Sequence, residues 1–134
     1  MAIIWSENLS VKIELFDLQH RKLIELINSF YNNVRKGAGK ENFLMFTKSL
    51  KDYTIYHFSA EEKIMQEHDF PGLDSHKIEH SIFIEQVIFY EEMFKSGKAL
   101  IILDVINFVK DWVINHVMGT DKKYSDFLVA KGVQ

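Results

Sequence analysis

His20, His57, His76, His80 and His116 fall at positions where an amphipathic helix would carry Leu or Ile, and Glu61 and Asp121 sit at matching heights. A buried polar group without a partner costs roughly 1–3 kcal/mol. Seven such groups on coordinated stripes therefore need a shared partner, and metal ions satisfy imidazoles and carboxylates together. His57 and Glu61 are spaced i, i+4, as are His76 and His80, so each pair shares a helix face. Asp121 lies five residues past His116, which on an α-helix is about 140° away. It joins the same site only if the chain leaves α-helical geometry near Gly119.

Seven protein ligands exceed the four of a structural zinc site and suit two ions. Glu61 and Asp121, with two oxygens each, are suited to bridging. Three histidines on one ion and two on the other leave a vacant position on the second. The chain has no cysteine, which removes disulfides, iron–sulfur clusters and thiolate zinc sites. Imidazole and carboxylate donors suit zinc, iron, manganese or copper. His68, between Glu67 and Asp69 at a helix end, reads as an ordinary surface histidine. His76-x-x-Glu79-His80 also matches the inverted zincin pattern, with Glu79 as general base, but that reading leaves His20, His57 and His116 unexplained.

The elements that must position these groups read as all-α. The 134 residues fit one domain, 1–134, and 47% hydrophobic with 26% charged residues is an ordinary globular balance. Residues 1–16 read as an extended N-terminal arm with Trp5, Leu9, Val11, Ile13 and Phe16 as packing points, and Asp17 is expected to cap the first helix. Apolar stripes then mark four helices over residues 17–118. They end near Lys36-Gly37, before Asp69-Phe70-Pro71-Gly72, at Ser96-Gly97 and at Gly119, and Asp74 or Ser75 caps the third. A short C-terminal helix falls within residues 119–134. Short connections between antiparallel neighbours give an up-down-up-down four-helix bundle. A net charge of −3 with no Lys/Arg stripe argues against nucleic acid. No apolar run approaches a membrane span and no secretory signal is recognisable, so a cytoplasmic location is expected.

The ligand set, in order and spacing, resembles that of the hemerythrin family in its prokaryotic single-domain form. The resemblance is carried by Trp5 in the arm, Asp17-Leu18-Gln19-His20, His57-Phe58-Ser59-Ala60-Glu61-Glu62, His76-Lys77-Ile78-Glu79-His80 and His116-Val117-Met118-Gly119-Thr120-Asp121. It implies two non-haem irons, one held by His76, His80 and His116 and the other by His20 and His57. Glu61, Asp121 and a solvent-derived oxo or hydroxo group would bridge them. It implies reversible dioxygen binding for storage, delivery or sensing, with azide or nitric oxide as analogues, in a monomer or weak oligomer. The alternative is a diiron redox enzyme acting on peroxide or nitric oxide. The absence of Glu-x-x-His pairs separates the chain from ferritin-like diiron enzymes. Phe58, Trp112 and Met118 are the expected walls of a dry oxygen pocket, and Tyr124 is expected to hydrogen-bond a ligand carboxylate.

Overall fold

Apolar residues recurring every three or four positions produce four long helices, described here from a computed structural model covering residues 2–98 and 101–134. They are α1 (Glu14–Arg35), α2 (Gly39–Glu67), α3 (Leu73–Lys95) and α4 (Ile101–Asn115), with a shorter α5 (Asp121–Ala130) after them. Helix α1 packs on α2 and α4, and α3 packs on α2 and α4, which closes the bundle. Gly37 and Gly97 adopt φ of +79° and +98° just past α1 and α3. Glycine takes this left-handed conformation without the Cβ penalty, so both helices end cleanly in short turns.

The end of the bundle away from the histidines is apolar. Phe30 stacks on Phe46 with centroids 4.1 Å apart, and Phe43 stacks on Phe94 at 4.4 Å. Burying each such ring contributes on the order of 1.5–3 kcal/mol. A buried carboxylate enters this region. Glu91 is buried between α2 and α3, where it accepts hydrogen bonds from Thr47 at 2.6 Å and Lys51 at 2.5 Å. Both bonds satisfy a carboxylate that would otherwise be costly to bury.

The N-terminal arm is extended apart from a 3₁₀ turn at Glu7–Leu9 and a left-handed residue at Lys12, φ +58°. The side-chain amide of Asn28 clamps the backbone of Ile3, accepting from its N–H and donating to its carbonyl. Leu9, Val11, Ile13 and Phe16 are buried as expected, and Trp5 is half-buried with the Arg21 guanidinium 4.5 Å from its ring centroid.

Helix α1 begins three residues earlier than expected, and Asp17 does not cap it. Its carboxylate instead turns back to the arm, accepting from Ser10 Oγ at 2.6 Å and the Val11 N–H at 2.8 Å. Neither Asp74 nor Ser75 caps α3, which starts at Leu73 after Gly72. The largest difference is at Gly119. The fourth helix does not end there; it passes through a π turn, His116–Thr120, and continues as α5. The backbone N–H of Asp121 donates to the carbonyl of His116, five residues back, which is the π hydrogen bond. Residues 119–130 thus continue the fourth rod, with α5 as the C-terminal helix. No described helix is long and apolar enough to cross a membrane.

Candidate metal centre

Each of the four rods of the bundle contributes to one point of its interior, the fourth through its π turn and α5. Helix α1 supplies His20, α2 supplies His57 and Glu61, α3 supplies His76 and His80, the π turn supplies His116, and α5 supplies Asp121. All seven are buried, none more than 4% exposed. The i, i+4 pairs on α2 and α3 share faces as their spacing requires. The π turn adds a residue to the rod and swings Asp121 round to the side of His116.

The donor atoms sort into two groups. In the first, Nε2 of His76 and of His116 each lie 3.0 Å from Asp121 Oδ1, and His80 Nε2 lies 3.3 Å from Glu61 Oε1. In the second, His20 Nε2 lies 3.4 Å from Glu61 Oε2 and 3.3 Å from Asp121 Oδ2, and His57 Nε2 is 3.3 Å from Glu61 Oε2. Both carboxylates thus present one oxygen to each group. The first group holds five residues and the second four, with Glu61 and Asp121 common to both.

The outward ring nitrogens fix the imidazoles. His57 Nδ1 donates to Gln19 Oε1 at 2.6 Å, His80 Nδ1 to Glu62 Oε2 at 2.7 Å, and His116 Nδ1 to Glu79 Oε1 at 3.0 Å. A partner that only accepts assigns the proton to Nδ1 and leaves Nε2 as a bare lone pair aimed inward. Tyr124 donates to Glu61 Oε2, as its sequence position suggested.

A metal fits this arrangement. His20 Nε2, His76 Nε2, Glu61 Oε1 and both Asp121 oxygens are buried without a hydrogen-bond partner. Nε2 of His80 and of His116 approach to 3.2 Å. With Nδ1 as the outward donor on each ring, both Nε2 atoms are directed at one point where a single cation can be held. Orphaned atoms of this number at one point are costly for folding unless a cation gathers them.

The ionisation of the protein groups points the same way. Burial acts against the charged form of His20 and His76, yet the Asp121 and Glu61 carboxylates outweigh it, pushing them up to about 10 and about 9. His116 is raised by Asp121 against the same burial cost. Burial dominates at His57 and lowers it, keeping that ring neutral. Burial also opposes ionisation of Glu61 and Asp121, but the surrounding imidazoles hold both carboxyls below their ordinary range. Two buried carboxylates without metal thus retain protons on neighbouring imidazoles as their counter-charge.

Residues 11–128 match the family profile described as "Hemerythrin HHE cation binding domain". The chain belongs to the hemerythrin family. It is 31% identical over 127 residues to a bacteriohemerythrin of Stenotrophomonas maltophilia, covering 92% of this chain and 80% of that one. It is 32% identical over 120 residues to a myohemerythrin of Theromyzon tessulatum, covering 90% and 88%. A crystal structure of wild-type hemerythrin superposes with a TM-score of 0.84 at 25% identity, covering 94% of this chain and 97% of that one.

Of the three residues expected to wall the pocket of this hemerythrin domain, two lie against the centre. Phe58 stacks on His80 with centroids 3.8 Å apart, and Trp112 stacks on His116 at 4.2 Å. Phe83, which packs against both, was not anticipated. Met118 does not belong to the wall. It is 43% exposed and lines a groove of about 360 Å³ with arm residues Ile3 and Ile4 and with Lys110 and Ile114. The extra residue of the π turn carries the segment after Val117 outward. On the same inner face, Val113 is buried one turn before His116.

His68 is half-buried and bonds the Ile64 carbonyl at the end of α2, outside either donor group. Glu79 is no general base beside a single zinc. Its carboxylate is engaged by His116 and Thr120, and the two histidines of its motif sit among seven buried donor residues. Gln19, Glu62 and Glu79 went unrecognised as orienting groups in the sequence. Each adjoins a ligand in the chain yet serves a histidine of another helix, so adjacency was the only signal and it pointed to the wrong partner.

Proposed function

We propose that this chain binds dioxygen reversibly at two non-haem irons bridged by Glu61 and Asp121. The observation that carries the reading is the inequality of the donor groups, five residues against four with both carboxylates shared. On this reading His76, His80 and His116 hold one ion and His20 and His57 the other, so the second has room for a diatomic ligand. Two ferrous ions, when bound, supply the electrons that dioxygen binding draws upon.

The protein's part is to orient and to exclude. Gln19, Glu62 and Glu79 fix three imidazoles in the tautomer that turns Nε2 inward. Tyr124 donates to Glu61 Oε2 and so holds the carboxylate that would be shared by the two ions. Phe58 and Trp112 cover His80 and His116 with apolar rings and Phe83 backs both, which limits the water and protons that promote irreversible oxidation. No observation at the site favours the alternative of peroxide or nitric oxide turnover, and none of the relatives' names above is an enzyme's. We place this function in a cytoplasmic monomer or weak oligomer.

Iron analysis together with absorption spectra under oxygen, under argon and with azide tests this. The expected result is about two irons per chain and a visible band that forms with oxygen, disappears under argon and is replaced with azide. One zinc per chain, or no response to oxygen and azide, overturns it.

A further inference from the structure

The π turn has no local cause. Val117, Met118, Gly119 and Thr120 include no proline, and Gly119 has no positive φ. An uninterrupted α-helix is open to this segment, and π turns are rare enough to require support from outside. That support is visible on α3. A single oxygen, Glu79 Oε1, accepts from His116 Nδ1 at 3.0 Å and from Thr120 Oγ1 at 2.8 Å. His116 and Thr120 are the first and last residues of the turn.

We propose that Glu79 is a positioning residue that staples the π turn at both ends and so sets the placement of Asp121 as well as His116. Asp121 follows Thr120 directly, and its rotation about the rod depends on whether five residues or four complete the turn. A carboxylate on α5 is thereby governed by an acid on α3 that reaches the donor groups only through His116. Thr120 becomes part of the device, because without its bond Glu79 orients only His116. Contacts further along α5, from Ser125 Oγ to the Val11 carbonyl and from Tyr124 to Glu61, hold the helix that follows but do not reach the turn itself.

The consequence for metal rests on the diiron reading above; the stapling itself does not. Two measurements separate them. In the metal-free protein, amide hydrogen exchange over residues 117–121 is compared among wild type, Glu79→Ala, Glu79→Gln, Thr120→Val and the control Glu92→Ala. Both Glu79→Ala and Thr120→Val speed exchange there. Glu79→Gln, which keeps an acceptor oxygen, returns it toward wild type, and Glu92→Ala changes nothing.

In the iron-loaded protein, removal of iron by a chelator is faster by about 10–100-fold in Glu79→Ala, the usual range for loss of a group behind a metal ligand. Thr120→Val is faster by about tenfold, and the double variant is no faster than Glu79→Ala alone, because the two residues act as a unit. If Thr120→Val matches wild type in both measurements, Glu79 orients His116 only and the proposal fails. If wild type takes up no iron, the diiron reading falls while the exchange data still decide the staple. Should Glu79→Ala not fold, Thr120→Val and Glu79→Gln carry the same comparison.

Discussion

His116 Nε2 and Asp121 Oδ1 lie 3.0 Å apart, although Asp121 is five positions further along one helical rod. On a regular α-helix they would point about 140° apart. The π turn between them brings a histidine of one donor group and a carboxylate shared by both to the same point. A buried centre reached from five helical segments therefore depends on one local departure from α geometry.

Gly119 is not the cause of that departure. A Cβ at this position meets nothing within 4 Å, and the backbone is not left-handed. Gly119→Ala should therefore keep the turn and raise stability by about 0.5–1 kcal/mol, because alanine gives up less backbone entropy on folding. Urea denaturation checks the gain, and iron content checks that the centre survives.

Ligand substitutions should separate from histidine substitutions elsewhere. His76→Ala and Glu61→Ala are each expected to abolish the oxygen-dependent band, the second most severely because Glu61 belongs to both groups. His68→Ala should leave the band intact, since its ring bonds only the end of α2. Spectra of the three purified variants decide this.

Tyr124→Phe removes the donor to a fully buried carboxylate. Hydrogen bonds to charged groups contribute about 1.5–3 kcal/mol, so unfolding free energy should fall by that amount while the fold persists. The measurement is chemical denaturation of the metal-free protein beside wild type.

Without metal, stability should fall as pH rises from about 7 to 9. His20 and His76 have folded pKa values of about 10 and about 9 against 6.5 in the unfolded chain. Below pH 6.5 both states carry these protons and the stabilisation is complete. Above it the unfolded chain releases them first, so the folded state binds more protons and loses stability with each rise in pH. Iron-loaded protein should not show this decline, because the ions occupy the place of the protons. Denaturation midpoints at pH 6.5, 8 and 9, with and without iron, test both halves.

The pocket wall offers a paired comparison. Phe58→Ala leaves a void beside His80 and should destabilise by about 3–5 kcal/mol. Met118→Ala, at a side chain 43% exposed on the outer surface, should stay within about 0.5 kcal/mol of wild type and keep the oxygen band. Thermal melts and oxygen titrations of both variants check the contrast.

The helices, their antiparallel order and the seven donors were legible in the chain because each rests on a short repeat. Apolar spacing of three and four sets the buried face, and i, i+4 pairs put two donors on that face. Asp121 was legible as a conflict between spacing and ligand count, which required non-α geometry near Gly119. What only the tertiary structure decided was how that conflict resolves: a π turn, a rod that continues, and Met118 carried out to the surface. The same holds for Gln19, Glu62 and Glu79, which orient histidines far from them in sequence, and for Asp17, which ties down the arm. Periodicity is written within one helix; the partner of a side chain that leaves its own helix is fixed only when another helix packs against it.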